Sequence, residues 1–418
     1  MRKVKIKDIL ITNEESINPS NYDFIYYLDT SSITKNLIHS VQKLNPNKDI
    51  IPSRAKRLVK ENTIVYSLVR PNLKHYGIIR NPQKNMIAST GFVTLDIKND
   101  KEYDAEYIYY NLIQNKYTDY LHAIACNNVS SYPSINPSDI EEMKIEVETD
   151  IKKQKKISKL LLDIDKRIEL NRNINELLKN IARSVYEYWF IQFDFPDEFG
   201  RPYKSSGGKM VYNEVLKREI PVDWHVENFY NNPLSEIIQP GIQSFEGNKT
   251  YLPTASVQGD QIVDYSNIIT FKKRESRANM APLANSVWFA KMKNSKKVMF
   301  IGDYSKAYID NFIFSTGFCG LSCTENSLEY LWNTINSPYF EARKDILAHG
   351  ATQEAIRNDD LKSMPLLIPS SSLLELYHRQ TKELYHQKYI NELESNKLIR
   401  LRDFLLPMLM NGQVSIKS

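Results

Sequence analysis

The chain has 418 residues, a formal net charge of +5, 42% hydrophobic residues and 25% charged residues. This length suffices for two or three domains, and no run approaches the 18 apolar residues of a membrane-spanning helix. The basic start lacks the apolar core of a secretory signal, and three cysteines do not make a disulfide framework. We therefore expect a cytoplasmic protein, whose mild basic charge permits a nucleic-acid partner without demanding one.

Residues 1–150 are predicted to form a first domain of mixed α and β structure. Strand patterns occur near residues 24–28, 63–69, 77–80, 91–95 and 144–147. A helical pattern spans residues 105–125, and Asp104 stands at the position of its N-cap.

Residues 151–190 contain no Gly or Pro and predict a first long helix. Its apolar residues recur every 3.5 positions, as in a coiled coil whose seam two asparagines keep in register. An ordinary core helix with two polar positions is the alternative, but 40 residues would span about 60 Å. The predicted seam residues are Ile157, Leu161, Ile164, Ile168, Asn171, Asn175, Leu178 and Val185.

The same order of elements returns in the second half of the chain, after a linker at residues 191–226. Ser-Thr-Gly-Phe occurs at 89–92 and at 315–318, and Tyr-Leu-Asp-Thr-Ser-Ser-Ile at 27–33 matches Tyr-Leu-Pro-Thr-Ala-Ser-Val at 251–257. We predict a second domain at residues 227–370 and a second long helix at 371–418, with Leu374, Tyr377 and Leu401 in its apolar stripe. The predicted fold class is α/β (α+β), with two duplicated mixed α/β domains separated by two long antiparallel coiled-coil helices.

No catalytic constellation is recognisable in the sequence. A phosphate-binding loop at residues 203–210 would need Gly in place of Tyr203 and Ser or Thr in place of Met210. No glycine-rich dinucleotide motif is present, and Cys319 and Cys323 lack the two further ligands of a zinc site. We therefore predict no catalytic residue, no metal site and no cofactor in this chain.

Basic loops at the same place in both copies are the candidate binding surface. Arginine can grip a guanine edge or a phosphate with two hydrogen bonds, lysine offers a point charge, and tyrosine can stack. A solvated loop is the alternative for either copy alone, but the recurrence favours binding. The candidate DNA-binding residues are Ser67, Arg70, Lys74 and Tyr76 in the first copy, and Lys291, Lys293 and Lys297 in the second.

The architecture resembles the specificity subunits of type I restriction–modification systems over nearly the whole chain. The local stretches that carry the resemblance lie at 188–196, 202–210, 218–224 and 241–254; the first reads Tyr-Trp-Phe-Ile-Gln-Phe-Asp-Phe-Pro. The resemblance implies two target-recognition domains, each reading one half of a split, asymmetric DNA target. It also implies that the two helices set the spacing of the half-sites.

Partners follow from the same resemblance. Two modification subunits would bind S-adenosylmethionine and methylate adenine N6, and ATP-dependent restriction subunits that require Mg would join them. This chain would then be a non-catalytic subunit without a cofactor of its own. Two other readings remain open: a duplicated coiled-coil adaptor that binds protein rather than DNA, and an enzyme with an unrecognised nuclease or methyltransferase site.

Overall fold

A computed structural model describes residues 1–127 and 132–416, which fold as two units. Unit 1 comprises residues 1–170 and 394–418, and unit 2 comprises residues 171–393. Each long helix therefore contributes residues to both units. The helices are α1 Ile6–Ile9, α2 Ala105–Leu112, α3 Asn115–Asn127, α4 Pro137–Glu141, α5 Ile151–Tyr186, α6 Lys306–Asn311, α7 Leu328–Ile335, α8 Pro338–Leu347 and α9 Ser371–Met410.

Unit 1 is built on two four-stranded sheets with the orders β6-β3-β10-β7 and β2-β11-β8-β9. Strands β1 and β12 form an antiparallel pair, as do β4 and β5. The strands are β1 Arg2–Lys5, β2 Leu10–Thr12, β3 Ile25–Leu28, β4 Ile33–Thr34, β5 Leu37–Ile38, β6 Gln42–Leu44, β7 Ala55–Leu58, β8 Thr63–Ser67, β9 Tyr76–Ile79, β10 Met86–Ser89, β11 Phe92–Ile97 and β12 Lys144–Val147.

Unit 2 repeats this topology strand for strand. Its four-stranded sheets have the orders β20-β17-β24-β21 and β16-β25-β22-β23, its outer pairs are β15-β26 and β18-β19, and β13-β14 is a hairpin before them. The strands are β13 Met210–Asn213, β14 Arg218–Pro221, β15 His225–Asn228, β16 Ser235–Ile237, β17 Lys249–Leu252, β18 Val257–Gln258, β19 Gln261–Ile262, β20 Ile268–Ile269, β21 Ala278–Met280, β22 Ser286–Ala290, β23 Val298–Ile301, β24 Phe312–Ser315, β25 Phe318–Cys323 and β26 Pro365–Ile368.

The predicted mixed fold class is thus confirmed, and the two copies differ only in local detail. In each copy one strand pair runs parallel, β3 with β10 and β17 with β24, and the remaining pairs of the four-stranded sheets run antiparallel. Unit 2 inserts α6 between β23 and β24, where unit 1 has only a turn. This insertion explains why the repeat offset is larger at Ser89 and Ser315 than at Ile79 and Ile301.

The helix predicted over residues 105–125 is in fact two helices, α2 and α3. Asp104 caps α2 as predicted, because its carboxylate accepts a hydrogen bond from the Tyr107 amide at 3.0 Å. The backbone leaves the helical conformation at Ile113, and the Gln114 side chain then donates to the Asn111 carbonyl at 3.0 Å. The apolar pattern continues across this break, so periodicity alone could not reveal it.

Within each unit, α5 and α9 run antiparallel. In unit 1 the Arg402 guanidinium contacts Asp165 at 2.9 Å, and Arg167 contacts Glu394 at 3.0 Å, so residue numbers rise on one helix as they fall on the other. In unit 2 the Asn391 side-chain amide donates to the Asn175 side-chain oxygen at 2.8 Å.

Most of the residues predicted for the α5 seam lie in the interior. Leu178 and Val185 are half-buried. The less regular stripe predicted for α9 is wrong at Leu401, which is 46% exposed and therefore does not belong to the buried seam. The buried seam residues of α5 are Ile157, Leu161, Ile164, Ile168, Asn171 and Asn175.

The C-terminal part of α9 completes the core of unit 1. Leu406, Leu409 and Met410 belong to the same buried cluster as Leu161 of α5 and the strands of the β2-β11-β8-β9 sheet. Residues from both ends of the chain therefore share one hydrophobic core.

The three cysteines have different environments. Cys319 in β25 is buried, and this burial raises the pKa of its thiol to about 12. Cys323 is partly covered, and burial raises the pKa of its thiol as well. Cys126, near the end of α3, is exposed. Across residues 1–127 and 132–416, no helix is long and apolar enough to span a membrane.

Candidate nucleic-acid interface

Three segments of unit 1 meet where β8 ends and β11 begins. The Leu68 amide donates to the Gly91 carbonyl at 2.9 Å, and the Thr90 amide donates to the Arg54 carbonyl at 2.8 Å. A fourth segment is attached through the Arg70 amide, which donates to the Pro133 carbonyl at 2.8 Å. We call this surface the loop edge of unit 1; it consists of residues 53–54, 68–74, 89–91 and 132–135.

Unit 2 builds the same loop edge from residues 276–277, 291–297, 315–317 and 354–356. The Lys291 amide donates to the Gly317 carbonyl at 3.0 Å, and the Thr316 amide donates to the Arg277 carbonyl at 2.9 Å. The Lys293 amide donates to the carbonyl of residue 354 at 3.0 Å. These bonds place Lys293 where unit 1 has Arg70.

The repeated Ser-Thr-Gly-Phe segment has a structural explanation. The hydroxyl oxygens of Ser89 and Ser315 accept hydrogen bonds from the amides of the following glycines, at 3.2 and 3.1 Å. A Cβ atom on Gly91 would lie 2.7 Å from a Thr30 methyl carbon, so a larger residue does not fit there without movement. The segment therefore holds the loop edge in one shape in both units.

Arg70 presents its guanidinium to solvent on the loop edge of unit 1. Its backbone is left-handed, with φ of 47°, an uncommon conformation for a residue with a side chain. The guanidinium carbon lies 5.1 Å from the centre of the Tyr132 ring, a cation–π contact that keeps its hydrogen-bond donors available. It makes no side-chain hydrogen bond or salt bridge to any residue that the structure describes.

Two of the predicted DNA-binding side chains lie in the interior, and we remove them from the candidate surface. Ser67 is 2% exposed, and its hydroxyl donates to the Val69 carbonyl at 2.9 Å. Tyr76 is 4% exposed, and its ring stacks on that of Tyr66 with 5.4 Å between ring centres. Burial raises the pKa of Tyr76, so its hydroxyl stays neutral. Ser67 and Tyr76 therefore support the loop at residues 68–74 from the interior.

Three of the predicted lysines have partners within the protein. The ammonium group of Lys74 donates to the Asn115 side chain at 2.7 Å, and that of Lys297 donates to the Thr254 carbonyl at 2.7 Å. Lys293 forms a salt bridge with Glu354 at 2.8 Å.

Lys291 is half-buried, and its ammonium group makes no hydrogen bond to the described part of the chain. The charge available to a ligand on these two loops is therefore smaller than the sequence suggests.

Sequence reasoning missed one basic residue in each loop edge. Ser-Arg-Ala occurs at 53–55 and again at 276–278, in register with the internal repeat. Arg54 and Arg277 are both exposed, and each carbonyl accepts the hydrogen bond from the neighbouring threonine described above. A search for short identities at the repeat offset would have found them.

Each unit has a groove next to a junction between two helices, α2 and α3 in unit 1 and α7 and α8 in unit 2. The unit 2 groove has a volume of about 830 Å³ and is bordered by α5 residues such as Arg183 and Tyr186, together with Trp332. The unit 1 groove has a volume of about 220 Å³ and is bordered by Leu406 of α9 and by Tyr109. Tyr109 and Trp332 occupy equivalent positions of the repeat.

Comparison with known proteins agrees with this architecture. Residues 1–180 match the model of the family described as "Type I restriction modification DNA specificity domain". The chain is 22% identical over 444 residues to the type I restriction enzyme HindI specificity subunit of Haemophilus influenzae, covering 94% of this chain and 95% of that protein. It is 23% identical over 418 residues to the MjaIX specificity subunit of Methanocaldococcus jannaschii, covering 95% and 85%.

The fold is shared with a solved structure. The crystal structure of the type I restriction–modification system S subunit from M. genitalium superposes with a TM-score of 0.56 at 15% identity, covering 98% of this chain and 95% of that one. Residues 1–180 thus match this DNA specificity domain, and the chain is similar along nearly its whole length to specificity subunits of type I restriction–modification systems.

Proposed function

We propose that each unit of this non-catalytic subunit reads one half of a bipartite, asymmetric target in double-stranded DNA. The observation that carries the proposal is the duplicated loop edge, in which one backbone frame holds different side chains. Unit 1 offers the free guanidinium of Arg70, whereas unit 2 offers Lys293 paired with Glu354. Two loop edges with the same backbone structure and different side chains suit two half-sites of different base sequence.

Arg70 is the side chain best placed for base readout. A guanidinium can donate two hydrogen bonds to guanine O6 and N7 in the major groove, and such a contact discriminates by about 1–3 kcal/mol. Its left-handed backbone and the following Pro71 restrict the direction in which the side chain leaves the loop. A lysine at the equivalent place would make a different, less directional contact.

The partners in this proposal are two modification subunits and, through them, restriction subunits. Two grooves at equivalent positions of the repeat suit two copies of one partner better than two unrelated partners. S-adenosylmethionine, ATP and Mg would then belong to those partner subunits, and this chain would hold no cofactor. The complex would act on cytoplasmic DNA.

The first test is binding of the full chain to a duplex over a range of salt concentrations. Phosphate contacts release counterions, so the binding constant should fall steeply as salt rises. A pull-down from the host and methylome sequencing of a deletion strain then identify the partners and the target. We expect two copies of an adenine methyltransferase and the loss of one split methylated motif. Binding that ignores salt, with an unchanged methylome, would instead favour the protein-binding adaptor.

Replacement of Arg70 tests the reading role. Arg70→Ala should weaken binding to a duplex with the intact target by about 1–3 kcal/mol and relax selectivity in one half-site. Lys101→Ala is the matched control, because Lys101 is an exposed cation that follows the far end of β11. An Arg70→Ala protein with wild-type affinity and footprint would remove Arg70 from the interface.

A further inference from the structure

Arginine occurs at the same position of both copies, as Arg54 and Arg277, although neither side chain has an evident structural role. Both side chains are exposed, and neither forms a hydrogen bond or salt bridge with any residue in the ranges 1–127 and 132–416. Their carbonyls accept hydrogen bonds, from the Thr90 amide at Arg54 and from the Thr316 and Asn279 amides at Arg277. Any residue could supply that carbonyl, so the fold does not require arginine.

The neighbouring identities, in contrast, have structural reasons. Ala55 and Ala278 are 1% and 0% exposed. Each lies beside a β-bulge, against β10 in unit 1 and against β24 in unit 2. A bulge redirects the strand and its side chains, and the buried position beside it favours a small residue. The arginine is the member of Ser-Arg-Ala that the interior does not explain.

The charge around both arginines is also alike. Residues 48–57 and residues 271–280 each contain four basic residues and one acidic residue. In unit 2, Lys272 and Lys273 are exposed within five residues of Arg277 in the sequence; in unit 1, Lys48 and Lys56 are exposed within six residues of Arg54. Each arginine thus belongs to a segment with a net positive charge, which favours an anionic ligand.

Backbone bonds connect these arginines to the variable reading position. Arg54 is bonded to Thr90, and the adjacent Gly91 is bonded to Leu68, two residues before Arg70. The same succession leads from Arg277 through residues 316 and 317 to Lys293. Each loop edge therefore combines an arginine that is the same in both units with a residue that differs between them, Arg70 in unit 1 and Lys293 in unit 2.

We propose that Arg54 and Arg277 each bind a phosphate of the DNA backbone next to the half-site that its unit reads. The two half-sites differ in base sequence, but the sugar–phosphate backbone is the same in both. An arginine that is the same in both copies suits the sugar–phosphate backbone, which is the same at both half-sites. Side chains that differ between the copies suit the bases, which differ between the half-sites. This proposal rests on the proposed function and specifies how the two loop edges divide their work.

The test compares the full-length wild-type chain with Arg54→Ala, Arg277→Ala and the double variant, with Lys101→Ala as control. The ligands are a duplex of about 30 base pairs carrying the target and a duplex of arbitrary sequence, each titrated at several salt concentrations. Every phosphate contact contributes about 0.9 to the slope of log K against log salt. Each single variant should therefore reduce the slope by about 0.9 and the double variant by about 1.8, equally on both duplexes. Arg→Lys variants should keep most of the slope.

Three outcomes would overturn the proposal. Slopes equal to wild type in a chain that binds DNA would remove the phosphate contacts while the proposed function stands. A loss restricted to the target duplex would show that these arginines read bases. Normal DNA binding together with lost co-purification of the methyltransferase would assign the arginines to a protein partner. A wild-type chain without salt-dependent binding would refute the proposed function itself, which is a distinct result.

Discussion

At the scale of single residues, the acidic Glu354 is the feature that most distinguishes the loop edge of unit 2. Its carboxylate pairs with Lys293, and both side chains are partly exposed, at 47% and 35%. Exposed pairs of this kind contribute about 0–1 kcal/mol to stability. A DNA phosphate could therefore displace the Glu354 carboxylate from Lys293 at little energetic cost. The negative charge of this carboxylate would nevertheless repel the phosphates of the DNA backbone.

Removal of this charge should strengthen DNA binding. We expect Glu354→Gln to increase affinity for any duplex by up to about 1 kcal/mol and to steepen the salt dependence, since one repulsive charge is lost and one lysine is freed. The measurement is the same titration at several salt concentrations. Glu375→Gln, on the exposed surface of α9, is the matched control. Equal affinities for wild type and Glu354→Gln would place residue 354 away from DNA.

Residues of the loop edges could be predicted from the sequence only in part. The repeat correctly aligns Arg70 with Lys293, because alignment depends on order along the chain. The burial of Ser67 and Tyr76 was not predictable, since β8 and β9 are covered on both faces and show no alternation. The partners of the lysines also lie far away in sequence, as Asn115 does from Lys74.

At the scale of elements, the long helices show how a polar pair can sit inside an apolar seam. Asn175 and Asn391 are 9% and 4% exposed, and they bond to each other across α5 and α9. Such a pair is satisfied in only one register, so it selects that register over shifted alternatives. The 3.5-residue spacing of the α5 sequence predicted this seam, whereas the matching residue of α9 required the structure.

A charge in the apolar part of the seam should unfold the helix pair. Ile164 is 8% exposed, and Ile164→Asp would bury a carboxylate without a partner, at a cost of about 3 kcal/mol or more. Thermal melting followed by circular dichroism measures the loss. Leu170→Asp, at a position on the same helix that is 48% exposed, should change stability by less than about 0.5 kcal/mol. A wild-type melting curve for Ile164→Asp would show that the seam tolerates charge.

At the scale of the whole molecule, unit 1 is assembled from two separate stretches of chain, and unit 2 is the continuous stretch between them. Unit 1 needs residues 394–418, and unit 2 holds residues 171–393 from the middle of the sequence. The duplication was predictable, because short identities recur in order at a nearly constant offset. The assignment of the C-terminal part of α9 to the core of unit 1 was not, because it depends on contacts between residues some 240–400 positions apart.

Deletion of residues 394–418 should therefore damage the opposite end of the sequence. Loss of Leu406, Leu409 and Met410 exposes their partners in the first 170 residues, whereas unit 2 keeps all of its residues. We expect limited proteolysis to cut within residues 1–150 at least about tenfold faster, which corresponds to about 1.4 kcal/mol of lost stability. Mass spectrometry locates the cuts. First cuts within residues 225–370 instead would contradict this account.

Leu409→Ala is a milder form of the same test. The side chain is 2% exposed, so its truncation should cost about 2–5 kcal/mol in unit 1. Phe404→Ala, at a position on α9 that is 63% exposed, is the control and should leave the proteolysis pattern unchanged.

The unequal burial of the cysteines makes this chain suited to single-site labelling. Because burial keeps the Cys319 and Cys323 thiols protonated, a maleimide dye at neutral pH should react first with Cys126. Cys126 lies near the end of α3, and α3 packs against residues 71–73 of the loop edge in unit 1. A fluorophore at this position would report DNA binding at the loop edge of unit 1, whereas the loop edge of unit 2 would carry no label. The order in which the two half-sites are bound could then be followed in real time.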